Sequence, residues 1–555
     1  MSGLDKLSKL NLTDLHKIIV GVDYGTTFTG VSYVDSLKQH VDDINVIRTW
    51  PGPSREQDET WKTPSRIAYS VENPSIEGEA MKWGYMVVPR MKSYTWTKLL
   101  LERGSDITNG VAEADIIEGN GFLKLPDFKD EAREVCADFL QGVYDHTMAY
   151  LQQRHSPEIM RVTALEFWFT VPAIWSDKAK DETLKAASAA GFGSRAQDTI
   201  SMITEPEAAA IATLSALSDD ERELKVKVGD GILICDCGGG TVDIVTYKVT
   251  QLKPLLRFEE LLGGAGEKCG STYIDREFYK WMSRKFGAAF DNLNPDKKRP
   301  GSRFMKDFEG HKRDFGFSSK SDQKFEIELV IPGAKDSDIY DKDNSIVILT
   351  SNIMESFFQP IVKKIKNLLD QQLEQLSKKS QVSIQREPQL ISPTLSSQAS
   401  VVKGAALRGL KGLVPEKRIA RLHYGVKAML PFREQIDPAE TAHYWSWDGS
   451  KKCNNRMNWL IAKITMRPNG MGRDWNENET HAKALAAIRQ VATINFTFSE
   501  SDLLLFPVKK RNFHRNMYEL RFSIQVNTFA SKGLLEFRVV GPGGRDMGKA
   551  SIEYE

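Results

Sequence analysis

The sequence predicts a mixed α/β protein built on a duplicated strand–turn–strand unit and followed by an antiparallel β-rich domain. Residues 17–34 (KIIVGVDYGTTFTGVSYV) and 231–249 (GILICDCGGGTVDIVTYKV) repeat one order: apolar run, Asp, Gly-rich turn, Thr, β-branched run. The long period of this duplication excludes a solenoid. Between the two units, strand-like and helix-like stretches alternate. Beyond Pro415 the period becomes two, through Ile494, Phe496 and Phe498, then Tyr518, Leu520, Phe522, Ile524 and Val526, then Leu535, Phe537 and Val539 up to a Gly-Pro-Gly-Gly turn at 541–544. Such alternation covers one face of a sheet. We expect a lead at 1–16, a first domain at 17–415 and a β-rich domain at 416–555.

Taken in order, residues 130–153 read as a helix and 163–171 as a strand that ends at Pro172. The Ala/Lys-rich stretch 176–190 is helical until Gly191 and Gly193 stop it, and a short strand then leads into Glu205 and the Ala-rich helix 208–214. Residues 218–227 are a charged surface connection, 351–376 a long amphipathic helix, and the Ser/Gln-rich run 377–400 contains no convincing strand.

At 555 residues the chain has room for roughly three to five domains or lobes. Its 75 Lys and Arg against 74 Asp and Glu give a formal charge of +1, which supplies no overall field toward nucleic acid or an anionic membrane. Neither partner is expected. Five scattered cysteines (Cys136, Cys235, Cys237, Cys269 and Cys453) form no secreted disulfide framework and suit a reducing compartment. The opening MSGLDKLSKLNLTDLHK lacks the apolar core of a signal peptide, and no stretch approaches a membrane span. We expect a cytoplasmic protein.

The chemistry lies in the two turns. A turn rich in Gly and small hydroxyl residues lets backbone N–H groups approach phosphate oxygens while the hydroxyls donate further bonds. The carboxylates that end the two strands, Asp23 and Asp236, are placed to hold the water shell of Mg²⁺, which keeps several waters and takes only one or two carboxylates. One turn alone is also what an ordinary β-turn uses. Two of them, with Thr204-Glu205-Pro206-Glu207-Ala208-Ala209-Ala210 between, point to a nucleotide site.

VDYGTTFTGVSYV resembles the first phosphate loop of the seventy-kilodalton heat-shock protein family, CDCGGGTVDIVTYKV its second, and ITEPEAAAIATL its connecting segment. VPAIWSDKAKDETLKAASAAGF is similar to the segment around that family's switch proline, here Pro172, and Gly404-Ala405-Ala406 to the helix start near its adenine pocket. The resemblance covers about residues 17–412 and implies a two-lobed, actin-like ATPase fold, a duplicated ribonuclease H-like architecture. It implies ATP or ADP with Mg²⁺ as ligands, and protein clients or co-chaperones as partners. Gly25, Thr26 and Thr27 would lie on the β-phosphate side, and Gly238, Gly239, Gly240 and Thr241 would wrap the γ-phosphate. Asp23 and Asp236 would be metal-shell and catalytic carboxylates, Asp243 a further acid, and Glu205 the link from nucleotide state to the rest of the protein. Glu309 and Lys312, within FEGHKRDF, resemble positions that flank the adenosine.

Three departures qualify what the resemblance implies. The family carries a lysine within a Gly-Asp-Ala-Ala-Lys stretch after TPSRIAY, whereas this chain reads KWGYMVVPR, with Lys82 before the Gly and Arg90 well after it. A lost lysine removes charge that stabilises a transferring phosphoryl group, so hydrolysis would be slow or absent. SQVSIQREPQLISPTLSSQASVV contains no Gly where the family has a strand and a Val-Gly-Gly-Ser loop. Either nucleotide binds weakly or a segment is missing, and the second is preferred because losing an interior strand leaves backbone groups unpaired. The C-terminal part lacks the usual substrate domain and is more similar to the divergent twelve-type branch common in filamentous fungi. The expected function is a chaperone-like ATPase; the alternative is a nucleotide sensor or nucleotide-free interaction protein. A small-molecule kinase of the same superfold is disfavoured by the EPEAAA segment.

Other residues read more simply. Cys235 and Cys237 lack zinc spacing and are expected to be small core residues. The basic residues between Lys403 and Lys427 are read as a solvated face, and Trp445, Trp447 and Trp459 as packing of the β domain.

Overall fold

The computed structural model describes residues 16–38, 40–52, 60–88, 90–102, 125–219, 226–253, 256–316, 323–378, 397–419, 424–435, 439–444, 449–461, 465–467, 470–471, 492–496, 508–510, 516–518, 523–527, 534, 536–541, 545 and 550–554. Its contacts divide the chain into two units, one of residues 1–256 and 264–414, the other of 257–263 and 415–555.

The first unit opens with the hairpin of β1 (Lys17–Tyr24) and β2 (Phe28–Asp35), in which Asp23 faces Gly30 and Tyr24 faces Thr29. Short strands β3 (Asn45–Val46) and β4 (Thr63–Pro64) pair with β2, while β5 (Arg66–Tyr69), β6 (Met81–Trp83) and β7 (Tyr94–Thr95) form a separate small sheet. Helices α1 (Ala132–Gln152) and α2 (Pro157–Val162) lead to β8 (Ala164–Val171), which runs parallel to β1. Helix α3 (Asp177–Ala189) starts at Ser176, whose hydroxyl accepts from the Ala179 N–H, and ends where Gly191 and Gly193 take φ of 105° and 67°. Strand β9 (Thr199–Thr204), parallel to β8, runs directly into α4 (Glu205–Asp219).

The order β3-β2-β1-β8-β9 puts β1 in mid-sheet, buried on both faces, which is why its sequence is a continuous apolar run. Ile18, Val20, Val22 and Tyr24 pack into one core with Phe139, Leu140 and Val143 of α1. The opposite face meets α8 (Ser397–Lys411). There a Cβ on Gly21 would lie 2.6 Å from the Val402 carbonyl oxygen, which also accepts from the Ser32 hydroxyl at 2.8 Å. Glycine at this position lets the helix sit directly on the strand.

The second hairpin, β10 (Gly231–Cys237) and β11 (Val242–Gln251), repeats the first: Asp236 faces Asp243, and Cys237 faces Val242. The last residues of β12 (Arg257–Glu267) lie beside β11, where Gly266 comes close to the Val242 carbonyl. Helices α5 (Thr272–Phe286), α6 (Arg303–Asp314) and α7 (Ser351–Lys378) enclose a core with β13 (Lys324–Glu328), β14 (Tyr340–Asp341) and β15 (Ile346–Thr350). Phe278 and Phe308 stack in it at 3.9 Å between centroids. Among the described residues β10 pairs only with β11, so one edge of the strand has no partner there. Residues 379–396, most of the glycine-free stretch, lie outside the described residues. Cys235 is half-buried and Cys237 exposed, which corrects the expectation of two core cysteines. A strand buried on both sides would have enclosed them; this edge does not.

In the second unit Glu259 bridges Lys417 in parallel, and the Glu260 carboxylate accepts from the Ile419 N–H at 2.7 Å. Its longest pairing joins Tyr424–Pro431 to Lys451–Ile461, with Ala442–Tyr444 as a third strand. Antiparallel pairs Ala492–Phe496 with Ala550–Tyr554, and Ser523–Asn527 with Glu536–Val540, contain Ile494, Phe496, Ile524, Val526, Phe537 and Val539. Tyr518 ends the short strand Asn516–Tyr518. Phe498, Leu520, Phe522, Leu535, Trp445, Trp447 and most of the Gly-Pro-Gly-Gly turn lie outside the described residues.

Candidate nucleotide site

The two Gly-rich turns face each other. A Cβ on Gly239 would fall 2.4 Å from Thr27 Oγ1, and one on Gly240 would fall 2.8 Å from Thr26 Oγ1. Only glycine permits so close an approach. The second turn is anchored from behind: the N–H groups of Ser271, Thr272 and Gly270 donate to the carbonyls of Gly238, Gly239 and Gly240 at 3.0, 2.9 and 3.2 Å. In a trans peptide the next N–H points opposite to the carbonyl, so those of Gly239, Gly240 and Thr241 turn away from that anchor. Gly238 N–H closes the turn on the Thr241 carbonyl. Ser65 braces the first turn, with its N–H on the Thr27 carbonyl at 2.8 Å and its hydroxyl on that of Gly25 at 2.7 Å.

Asp23, Glu205, Asp236 and Asp243 are brought together at these turns, as their mutual electrostatic influence shows. Asp23 Oδ1 accepts from the Thr170 hydroxyl at 2.8 Å and Oδ2 from Lys62 at 2.6 Å. Asp243 Oδ1 accepts from the Ile174 N–H at 3.2 Å, which ties the loop after Pro172 to the second hairpin. Burial raises the Glu205 carboxyl to about 7, Lys98 opposes that rise, and Asp23 and Asp243 add to it. Burial, then Glu205, Asp23 and Asp243, push Asp236 well above the usual carboxylate range. Burial also raises Asp243. Burial works on Asp23 in the same sense, but the ammonium of Lys62 beside it, helped by Lys98, holds it below its ordinary value.

Lysines do stand in the site, supplied from outside the KWGYMVVPR stretch. Lys98, in the 3₁₀ segment Thr97–Glu102, is 2% exposed and donates to Glu205 Oε1 at 2.8 Å, with its ammonium 5.0 Å from the Trp175 ring. Lys82, on β6, is paired with Glu79 at 2.6 Å. Lys62, Lys98 and Ser65 are the residues that sequence reasoning missed. The available signal was a lysine inside the apolar run TWTKLLLE, because a buried lysine requires a partner.

The remaining expected residues are placed differently. Gly404 lies in the middle of α8, not at a helix start, and its Cβ would fall 1.8 Å from the Ala208 carbonyl oxygen. It is the crossing point of α8 and α4. Lys312 is buried between Asp275 at 2.7 Å and Glu309 at 2.6 Å. Its neighbour Arg313 reaches across to the Phe28 ring at the start of β2, 5.0 Å from the centroid.

Four clustered carboxylates stand against two lysines, and beyond the effect of burial the neighbours Glu205, Asp23 and Asp243 also disfavour charge on Asp236, so a cation fits here. Among the described residues no three side chains converge closely enough to ligate a metal directly. An ion would therefore be held through its waters, as Mg²⁺ commonly is. The side nearest Asp236 and Asp243 suits it, because both Asp23 oxygens are engaged.

Paired hairpins that face glycine turn to glycine turn define an α/β protein of the actin-like ATPase class. A family model described as Hsp70 protein matches residues 115–385. Just under half of the chain is therefore similar to that family. The chain is 25% identical over 334 residues to heat shock 70 kDa protein 12B of Homo sapiens, covering 49% of this chain and 46% of that protein. Identity is also 25%, over 333 residues and the same shares, to heat shock 70 kDa protein 12A of Homo sapiens. Chaperone protein dnaK of Guillardia theta is 24% identical over 288 residues, covering 50% of this chain and 40% of that one. The chain thus spans about half the length of the curated relatives it matches. No helix of the described residues is long and apolar enough to cross a membrane.

Proposed function

We propose that this chain binds ATP and ADP between its two glycine turns and acts as a cytoplasmic, chaperone-like ATPase with slow hydrolysis. The contact of Gly239 and Gly240 with Thr27 and Thr26 carries this reading, because it brings two hydroxyls and a turn of side-chain-free backbone N–H groups to one place, the donors that phosphate oxygens require. The backbone N–H groups of Gly239, Gly240 and Thr241 receive the terminal phosphate, while Thr26 and Thr27 hold the one before it. Lys98 offsets charge on the transferring phosphoryl group, and Glu205, held by Lys98, orients the attacking water. Asp236 and Asp243 hold the shell of Mg²⁺, which supplies charge neutralisation on the phosphate oxygens when bound. The reaction is an in-line displacement that depends on positioning and electrostatics. The tie from Ile174 to Asp243 carries nucleotide state toward Pro172 and β8. Protein clients or co-chaperones would read that state.

A second reading, a nucleotide sensor without turnover, is favoured by the Lys62–Asp23 pair, which occupies one carboxylate of the shell. Calorimetry with Mg²⁺-ATP and Mg²⁺-ADP, with phosphate release followed on the same sample, separates the two. Binding with release supports the ATPase, binding alone the sensor, and no binding overturns both.

A further inference from the structure

Lys62 is a second lysine at the turns, and the geometry built around it is specific. It precedes β4, and its backbone carbonyl accepts from the Tyr85 hydroxyl at 3.1 Å. Its side chain crosses β2 at Gly30, where a Cβ would lie 3.1 Å from Lys62 Cγ, so the absence of a side chain at that position makes room for the lysine stem. The stem delivers Nζ to 2.6 Å from Asp23 Oδ2, in a pair whose side chains are 23% and 6% exposed. Asp236 and Glu205 also attract this ammonium. It therefore lies in the field of three carboxylates of the cluster, with part of its surface still open.

We propose that Lys62 is a tethered cation of the nucleotide site, occupying the place beside Asp23 that a hydrated metal would otherwise take and contacting the phosphates of a bound nucleoside di- or triphosphate. The inference rests on the nucleotide-binding reading above. A direct N–O contact of 2.6 Å leaves no layer of water between Asp23 and its cation, whereas Mg²⁺ dehydrates reluctantly and usually keeps several waters. Lysine is a compact point charge on a flexible stem, so its ammonium can keep Asp23 as one partner and take a phosphate oxygen as another. Its charge is always present, whereas that of a metal depends on the metal concentration. The consequence is that nucleotide affinity is nearly independent of Mg²⁺, although turnover still uses the ion near Asp236.

The test is calorimetric titration of the full chain with ADP and ATP, in excess Mg²⁺ and in excess chelator, for the natural protein, Lys62→Met and Lys62→Arg. The expected result is affinities within about threefold in the two buffers for the natural protein and Lys62→Arg, and a loss of at least about tenfold in chelator for Lys62→Met, partly restored by Mg²⁺. A loss of about thirtyfold or more in chelator for the natural protein overturns the inference and leaves the nucleotide reading intact. Metal-independent binding that Lys62→Met does not weaken also overturns it. Absence of binding in both buffers overturns the inference and the reading together. The comparison of buffers on the natural protein needs no variant to fold.

Discussion

Lys98 Nζ donates to Glu205 Oε1 at 2.8 Å in a pair whose side chains are 2% and 12% exposed, joining the segment that follows β7 to the first residue of α4. Removing one partner of a buried pair strands the other charge, whereas removing both can be close to neutral. Lys98→Met should cost about 3–5 kcal/mol of stability, and Lys98→Met with Glu205→Gln distinctly less than the single changes combined. Chemical denaturation of the four proteins in the cycle measures this, and additive costs would remove the pair from the account.

The pH dependence of the nucleotide-free protein follows from the same glutamate. Its carboxyl lies at about 7 when folded, against 4.5 as the ordinary value, so between these values the folded chain binds more protons than the unfolded one. Stability from this group is fully present below about 4.5 and is lost as pH rises through 7. Glu205→Gln should flatten that part of the curve of melting temperature against pH. An unchanged slope would mean that Glu205 is already charged throughout.

Asp236 carries the opposite sign of consequence for stability and function. Burial disfavours its charge and its neighbours Glu205, Asp23 and Asp243 repel it, so Asp236→Asn should raise the melting temperature of the nucleotide-free protein by a few degrees, roughly 1 kcal/mol. The same change should weaken Mg²⁺-dependent turnover by about a hundredfold or more. A variant that melts lower and turns over normally would contradict both halves.

Two glycines in helices separate packing from propensity. Gly404→Ala forces a Cβ to 1.8 Å from the Ala208 carbonyl oxygen and should cost about 2–4 kcal/mol as α8 and α4 are pushed apart. At Gly310 in α6 nothing lies within 4 Å of a new Cβ, and Gly310→Ala should stabilise by roughly 0.5–1 kcal/mol. Equal effects in denaturant titrations would refute the close crossing.

Thiol chemistry reports the edge of β10 that has no partner among the described residues. Cys235 and Cys237 lie 3.7 Å apart at sulfur, and a hydrogen bond from Cys237 lowers the Cys235 thiol, whereas burial pushes Cys136 up to about 11. Limited alkylation followed by peptide mapping should label Cys235 well before Cys136, and ATP should slow that labelling because Asp236 is its neighbour. Labelling of Cys136 at a comparable rate would show that the first core opens more readily than its packing allows.

Much of the site is legible in the sequence because its chemistry is local. Asp, glycine and threonine sit within a few residues of each other in each turn, and their spacing alone brings Asp23 to the end of β1 and Asp236 near the end of β10. The lysines are not legible in that way. Lys98 acquires its role from Glu205, which is distant in the chain, and Lys62 acquires its own from Thr170, Gly30 and Asp23 on three strands. Gly404 was read as a ligand contact because glycine serves close approach of any kind, and only the neighbouring helix shows which. The cysteines were misplaced for a related reason: period-two burial presumes a partner on each side of the strand, and among the described residues β10 has one.

The central claim, that two distant turns form one nucleotide site, is tested most directly by amide hydrogen exchange with and without saturating ATP. The expected result is that residues 25–27 and 238–241 become protected together, to a similar degree and over the same range of ATP concentration. Protection of one turn alone, or of neither while ATP binds elsewhere, would contradict the account.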